Sequence, residues 1–367
     1  MRYLSIDFLR GLTIAFMIIV NTPGDWGQVY SPLLHADWHG CTPTDLVFPS
    51  FMFIVGVSMW FAFERYGRTW QPGMATKVIR RSVLLVLIGV LATWYPFYDT
   101  TLSELRIPGV LVRIGVTYGL ASALVLSLSW RGVALTSAGI LLGYWALLYF
   151  GATPGTDPYG LQDNVVRQFD LQVLGANHIW KGKGIPFDPE GILSTFPAVV
   201  TIITGWWSGS MMQKYQLDQR RVAGELLLWG NILALGGMVW DFIFPMNKSL
   251  WTSSYVLYTS GLSMIFLAFA VWVIDIKGWR SGTKFFLVLG ANALFAYTLS
   301  WLLISTMWMI KINDTTGAVT LSKWIVRHLI HPIDSGKLGS LLFALGYLMA
   351  IWSICYVLYR KKIWIKI

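Results

Sequence analysis

The sequence predicts an all-α membrane protein, a polytopic bundle of about ten transmembrane helices with both termini in the cytoplasm. Three observations predict it. The first is composition: 55% of the residues are hydrophobic and 13% charged, against roughly 25% charged in soluble domains. The second is pattern. Apolar runs of about 18 residues or more recur along the chain, and as helices they satisfy every backbone N–H and C=O within the hydrocarbon layer. The third is charge asymmetry. With the N-terminus inside and the runs alternating in direction, one side collects 18 of the 28 basic residues, among them Arg2 and Lys366. The positive-inside rule makes that side the cytoplasm. The net charge of +10 therefore reflects topology. No clustered basic helix or base-stacking motif points to nucleic acid.

In chain order the runs are 4–22, 44–62, 82–98, 108–128, 133–150, 192–212, 225–243, 252–274, 285–309 and 339–359. The first has the apolar length of a secretion signal. Asp7 and Arg10 interrupt it, however, and no small-residue cleavage site follows. It reads as an uncleaved anchor in which Asp7 and Arg10 pair one turn apart. The chain forms a single domain, 1–367, with outer loops at 23–43, 151–191 and 310–338. The longest loop, 151–191, is rich in Gly, Pro and Asp and is expected to hold a short helix at 161–175. Segment 321–330 is expected as an interfacial amphipathic helix. There is no internal repeat: Phe48-Pro49 and Phe196-Pro197 open similar helices, but these are the second and sixth spans. Cys41 and Cys355 fall on opposite sides, so no disulfide framework is expected, and no cysteine cluster offers a metal site.

Chemistry-bearing residues concentrate between the first two runs, in HADWHGCTPTDLVFP, residues 35–49. Ionisable groups gathered at a membrane boundary need a reason to be there. All five histidines, His35, His39, His178, His328 and His331, map to the outer side, and histidine is the side chain best suited to proton transfer near neutral pH. On a helix, His35 and His39 would share a face as a zinc pair. Asp37 between them and Gly40 after them favour a loop instead. Asp45 stands where it can cap the second helix or orient an imidazole, and the two roles are compatible. Asn21, at the outer end of the first run, is a helix cap, an interhelical hydrogen bond or an amide donor to a carbonyl oxygen. Arg113 lies within the fourth run and needs a partner inside the bundle, with Asp45, Asp99 and Asp241 as candidates. Arg106 is interfacial, Asp188 and Glu190 mark a helix start, and Asn247-Lys248 put a cation at the outer mouth.

SIDFLRG, VN at 20–21, HADWHGCTPTDLVFPSFMFIVG, RIPGVLVRIGVTY, GANHIW, DPEGILSTFPA, NKSLWTSSYVL and GANALFAY occur in order across nearly the whole chain. In these pieces the sequence resembles the heparan-α-glucosaminide N-acetyltransferase family. The resemblance implies a multi-pass protein of the cytoplasmic (inner) membrane. It would take acetyl-CoA as co-substrate on the cytoplasmic side and acetylate an amino-sugar or oligosaccharide acceptor outside. The active histidine of the family matches His35, with Asn21 and Asp45 beside it; His39 does not match. Around the acceptor the expected residues are Trp38, Arg113, His178, Asp188, Glu190, Asn247 and Lys248. Arg10, Arg80, Arg81 and Lys214 are the cations expected to meet the coenzyme. The expected partners are the bilayer and the acceptor, with a homodimer allowed, and neither a metal nor a nucleic acid is expected. Two other functions compete: O-acetylation of an exported glycan, and transport or flipping of a glycan precursor.

Overall fold

Nearly all the regular structure is helix, as long apolar runs demand. The computed structural model describes residues 3–314 and 317–365. Arg2 and Lys366, counted above with the basic side, lie outside the described residues. The helices are α1 (Leu4–Asn21), α2 (Val47–Phe63), α3 (Pro72–Trp94), α4 (Val110–Ser127), α5 (Trp130–Phe150), α6 (Val165–Leu174), α7 (Thr195–Lys214), α8 (Gln219–Asp241), α9 (Ser253–Ala270), α10 (Thr283–Ala291), α11 (Ala293–Met309), α12 (Leu321–Ile325) and α13 (Lys337–Arg360). Strands β1 (Lys311–Asp314) and β2 (Gly317–Thr320) pair antiparallel, Lys311 opposite Thr320, before α12.

Seven of these helical segments are long and apolar enough to cross a membrane. An eighth qualifies if α10 and α11, bent by 82° between them, form one span. The sequence led us to expect ten. The two remaining candidates, α3 and α7, are helical but not uniformly apolar. Pro72 starts α3 ten residues earlier than the apolar pattern suggested, because Lys77, Arg80 and Arg81 interrupt that pattern without interrupting the helix. α7 is buried inside the bundle and carries hydroxyls that its neighbours satisfy, as when Thr204 donates to Ser260 at 3.0 Å. The expected helix at 161–175 is α6. The 321–330 segment starts as α12 and continues as a π-turn at Val326–Ile330. The hairpin β1–β2 was not expected.

Glycines let the central helices approach backbone to backbone. A Cβ on Gly56 of α2 would lie 2.0 Å from the Ile202 carbonyl, and one on Gly205 of α7 would lie 2.0 Å from the Phe53 carbonyl. The contact is reciprocal and needs small residues on both helices. The connecting segments sort to two ends of the bundle. Arg68 reaches Gln213, and Trp70 donates to Ser127, at one end. At the other, Gly40 pairs with Asn247, and Arg106 reaches Asp188. We call these the basic end and the His35 end.

Candidate functional site

The loop before α2 folds around one carboxylate. Thr42 and Asp45 form a capping box on a short 3-10 turn. Pro43 suits the first position, and Asp45 reaches back to the exposed backbone donors. Asp45 Oδ2 accepts from the Ala36 and Thr42 backbone amides, each at 3.0 Å, and lies 3.0 Å from the Thr42 hydroxyl. The other oxygen, Oδ1, is 2.6 Å from His35 Nδ1. Tyr255 Oη donates to the Asp45 backbone carbonyl at 2.6 Å. Asp45 is thus fixed from four directions and is buried, while 43% of the His35 side chain is exposed. An ionised carboxylate only accepts, so Nδ1 carries the hydrogen and Nε2 presents its lone pair outward. Cap and imidazole orientation, the two roles open for Asp45, are filled together.

A second segment brings a cation to this imidazole. Gly40, at φ +108°, donates its amide to the Met246 carbonyl at 2.7 Å and bridges Asn247. An L side chain is disfavoured at that φ. The bridge sets Lys248 Nζ over the imidazole, 3.1 Å from His35 Nε2 and 3.2 Å from Nδ1, and 4.0 Å from Asp45 Oδ1. Burial holds the Lys248 ammonium below its ordinary value, with Asp45 pulling the other way. Asn247 is buried: its Oδ1 accepts from the Leu250 amide at 2.8 Å, and its Nδ2 faces His39 Nδ1 at 3.4 Å. The pair His35 and His39 therefore splits, each ring held by a different partner.

The 151–191 insertion packs against the loop. Trp38 Nε1 donates to the Tyr159 carbonyl at 2.8 Å, and its ring meets Phe187 edge-on. His178 Nδ1 donates to the Leu105 carbonyl at 2.8 Å, tying two loops together. Arg106 forks onto Asp188 at 2.7 and 2.8 Å and also reaches Glu190 at 2.7 Å. Both acids of the helix-start motif are engaged by one arginine. Asp45, Asp99 and Asp241 were the partners expected for Arg113 from sequence, and it pairs with none of them among the described residues. Its Nη2 donates to the Gly191 carbonyl at 3.1 Å and to the Ser194 hydroxyl, and its guanidinium lies over the Trp251 ring. Its Nε and Nη1 are buried without a hydrogen-bond partner among the described residues. The motif's backbone at the start of α7, rather than an acid, meets this charge. Asn21, at the exposed end of α1, makes no hydrogen bond to His35 or Asp45 among the described residues.

At the basic end a cavity of about 600 Å³ enters between α1, α2, α3, α4 and the α10–α11 break. Arg10, Lys77 and Arg81 line it, and no carboxylate does among the described residues. Arg10 holds Asp7 at 3.1 Å, the pairing expected from sequence, and Ser58 at 2.7 Å. The cavity follows α2 from Ala62 up to Phe51, about 16 Å at 1.5 Å per residue, toward the helix start that Asp45 caps. Of the four cations expected to meet the coenzyme, Arg10 and Arg81 lie here. Arg80, the next residue on α3, is exposed and does not line the cavity. Lys214 lines a separate recess with Trp60 and Arg68. Lys77 was missed, although its four-residue spacing from Arg81 puts both on one helix face. Tyr255 was missed as well, and only its position in NKSLWTSSYVL hinted at it.

Residues 2–238 match the family model described as the catalytic region of heparan-alpha-glucosaminide N-acetyltransferase. The heparan-alpha-glucosaminide N-acetyltransferase of Mus musculus is 29% identical over 426 aligned residues, and that of Homo sapiens 28% over 425. Both alignments cover 100% of this chain and 60% of the relative. The chain thus spans well under two thirds of the length of these curated relatives.

Proposed function

The chain belongs to the heparan-alpha-glucosaminide N-acetyltransferase family, and from that premise we propose that it is a transmembrane acetyltransferase. It takes the acetyl group of acetyl-CoA at the basic end and gives it to the amine of a glucosamine-like sugar at the His35 end. The observation that carries the reading is the placing of two features on one helix. The His35–Asp45 pair stands at the start of α2, and the cation-lined cavity climbs the same helix from its far end. A polyanionic coenzyme does not cross hydrocarbon, whereas a thioester on a long flexible arm can reach up between helices. The positive-inside rule assigns the basic end to the cytoplasm, with ten crossings of the inner membrane and both termini inside.

In this reading His35 Nε2 accepts the proton of the acceptor amine as nitrogen attacks the thioester carbonyl. The carbon–sulfur bond breaks, and the proton passes to the departing thiolate. Asp45 holds the tautomer and steadies the imidazolium that forms. Such a positioned base is worth about 10²–10⁴-fold. Lys248 Nζ lies 3.1 Å from Nε2 and 3.2 Å from Nδ1, over the face of the imidazole, which leaves the Nε2 lone pair open to an acceptor amine. Asn21 belongs to the proposal through the family resemblance, as the donor that holds the thioester carbonyl. Arg106, Asp188, Glu190 and His178 have structural partners and serve as the frame of the acceptor site.

The test is acetyl transfer by the purified protein in lipid nanodiscs, with glucosamine and N-acetylglucosamine compared as acceptors. The proposal expects N-acetylglucosamine to form from glucosamine, with one thiol released per product. Equal turnover with N-acetylglucosamine, which offers only hydroxyls, would instead establish O-acetylation. Sugar flux without thiol release would establish a transporter.

A further inference from the structure

We propose that the segment after α13, residues 361–365, is part of the donor site: a clamped basic flap that closes the inner mouth of the cavity. This rests on the reading of that cavity as the coenzyme site. Three observations carry it. First, Ile365 lines the cavity alongside Arg10, Lys77 and Arg81. The segment has therefore folded back beneath the bundle instead of running on from α13.

Second, the fold-back is held by a turn that a lysine does not readily adopt. Ile363 N donates to the Leu358 carbonyl at 2.9 Å and Lys362 N to the Tyr359 carbonyl at 3.1 Å. This is the paired bonding of a Schellman helix end, in which glycine is the usual residue at the left-handed position. Lys362 fills that position at φ +55°. A bulky side chain there costs free energy and persists only when its surroundings hold it. Keeping a cation where glycine would fold more easily points to a use for the charge.

Third, the far end of the segment is clamped by one buried side chain. Asn292 stands in the break between α10 and α11, with non-helical backbone. Its Nδ2 donates to the Ile363 carbonyl at 3.1 Å, and its Oδ1 accepts from the Ile365 amide at 2.8 Å. The two bonds grip an extended backbone as a neighbouring strand would. They place Lys361 and Lys362, both exposed, at the end of the bundle where the cavity opens. The ligand chemistry is that of phosphates arriving from the aqueous side: cations from α1 and α3 on the walls, and cations from this segment at the rim.

The experiment measures the KM for acetyl-CoA and for glucosamine in nanodiscs at two ionic strengths. Asn292→Ala releases the clamp, Lys362→Gly removes the charge while easing the turn, and Ile365→Trp fills the cavity mouth. Each should raise the KM for acetyl-CoA by about tenfold and leave that for glucosamine unchanged. Lys362→Gly should also weaken the salt dependence. Lys362→Gly favours the native turn, so it remains informative if Asn292→Ala fails to fold. Arg81→Ala, on the cavity wall, is the control. If it raises the KM for acetyl-CoA while Lys362→Gly and Ile365→Trp do not, the flap is overturned and the donor-site reading stands. If Arg81→Ala has no effect on that KM either, both fall.

Discussion

The two ends of α2 treat charge in opposite ways. At the His35 end the charges of Asp45 and Arg106 are each answered within a few ångströms. Asp45 meets His35, two backbone amides and Lys248, and Arg106 meets Asp188 and Glu190. At the basic end Arg10, Lys77 and Arg81 converge on a cavity that no carboxylate lines among the described residues. Arg10 keeps Asp7 at 3.1 Å, and all three cations stay partly exposed to what enters the cavity. Charge paired inside the chain fixes geometry, as proton transfer requires. Positive charge gathered around a cavity suits a ligand that brings its own negative groups. In the proposed function the contrast separates a site that acts from a site that binds.

Breaking the His35 end should have the largest effect. His35→Ala is expected to lower kcat by about 10²–10⁴-fold while leaving acetyl-CoA affinity intact, since no atom of the donor cavity changes. Steady-state kinetics paired with equilibrium binding of the coenzyme checks both halves. Asp45→Asn keeps a side chain of the same size at the cap but no longer secures Nδ1–H. A loss of about 10²-fold or more in kcat, with normal expression and folding, is the expected result. Breaking the basic end should do the reverse. Arg81→Ala should raise the KM for acetyl-CoA by about tenfold with kcat little altered. Its neighbour Arg80→Ala, on an exposed face, should change neither.

Two smaller effects sharpen the comparison. Lys248 is a cation over the imidazole and 4.0 Å from Asp45 Oδ1. Lys248→Met should lower kcat with glucosamine, whereas Lys248→Arg keeps the charge and should retain most of it. Steady-state kinetics that give the KM for both substrates distinguish this from a general loss of activity. Asp170 is buried under the start of α7, where it accepts from the Ile192 amide at 3.0 Å, and burial pushes its carboxyl up to about 6 from 3.8. The folded state therefore holds an extra proton between those values. Stability should fall as pH rises through that window and level off above it. Asp170→Asn keeps the acceptor oxygen and should flatten that dependence in thermal melts.

The residues legible in the sequence were those whose partners lie nearby in it. Asp45 and His35 are ten residues apart on one loop, and the Thr42–Asp45 spacing is itself a capping signal. Asp7 and Arg10 were legible for the same reason. Arg113 was not: a search for a partner looks for acids, and the chain supplied the Gly191 carbonyl and Ser194 from 78 and 81 residues away. Helix α3 was placed late because hydropathy marks where a helix meets lipid, not where it begins. The α10–α11 break carries neither proline nor a charge. Asn292 becomes visible only through Ile363 and Ile365, 71 and 73 residues further on.

In the proposed function the acetyl group enters at one end of the bundle and leaves at the other. Proteoliposomes of defined protein orientation test it, with glucosamine trapped in the lumen and radiolabelled acetyl-CoA supplied outside. Labelled N-acetylglucosamine is expected in the lumen when the basic end faces outward, and none with His35→Ala. Product that forms only when donor and acceptor share a compartment, or that survives His35→Ala, would contradict it.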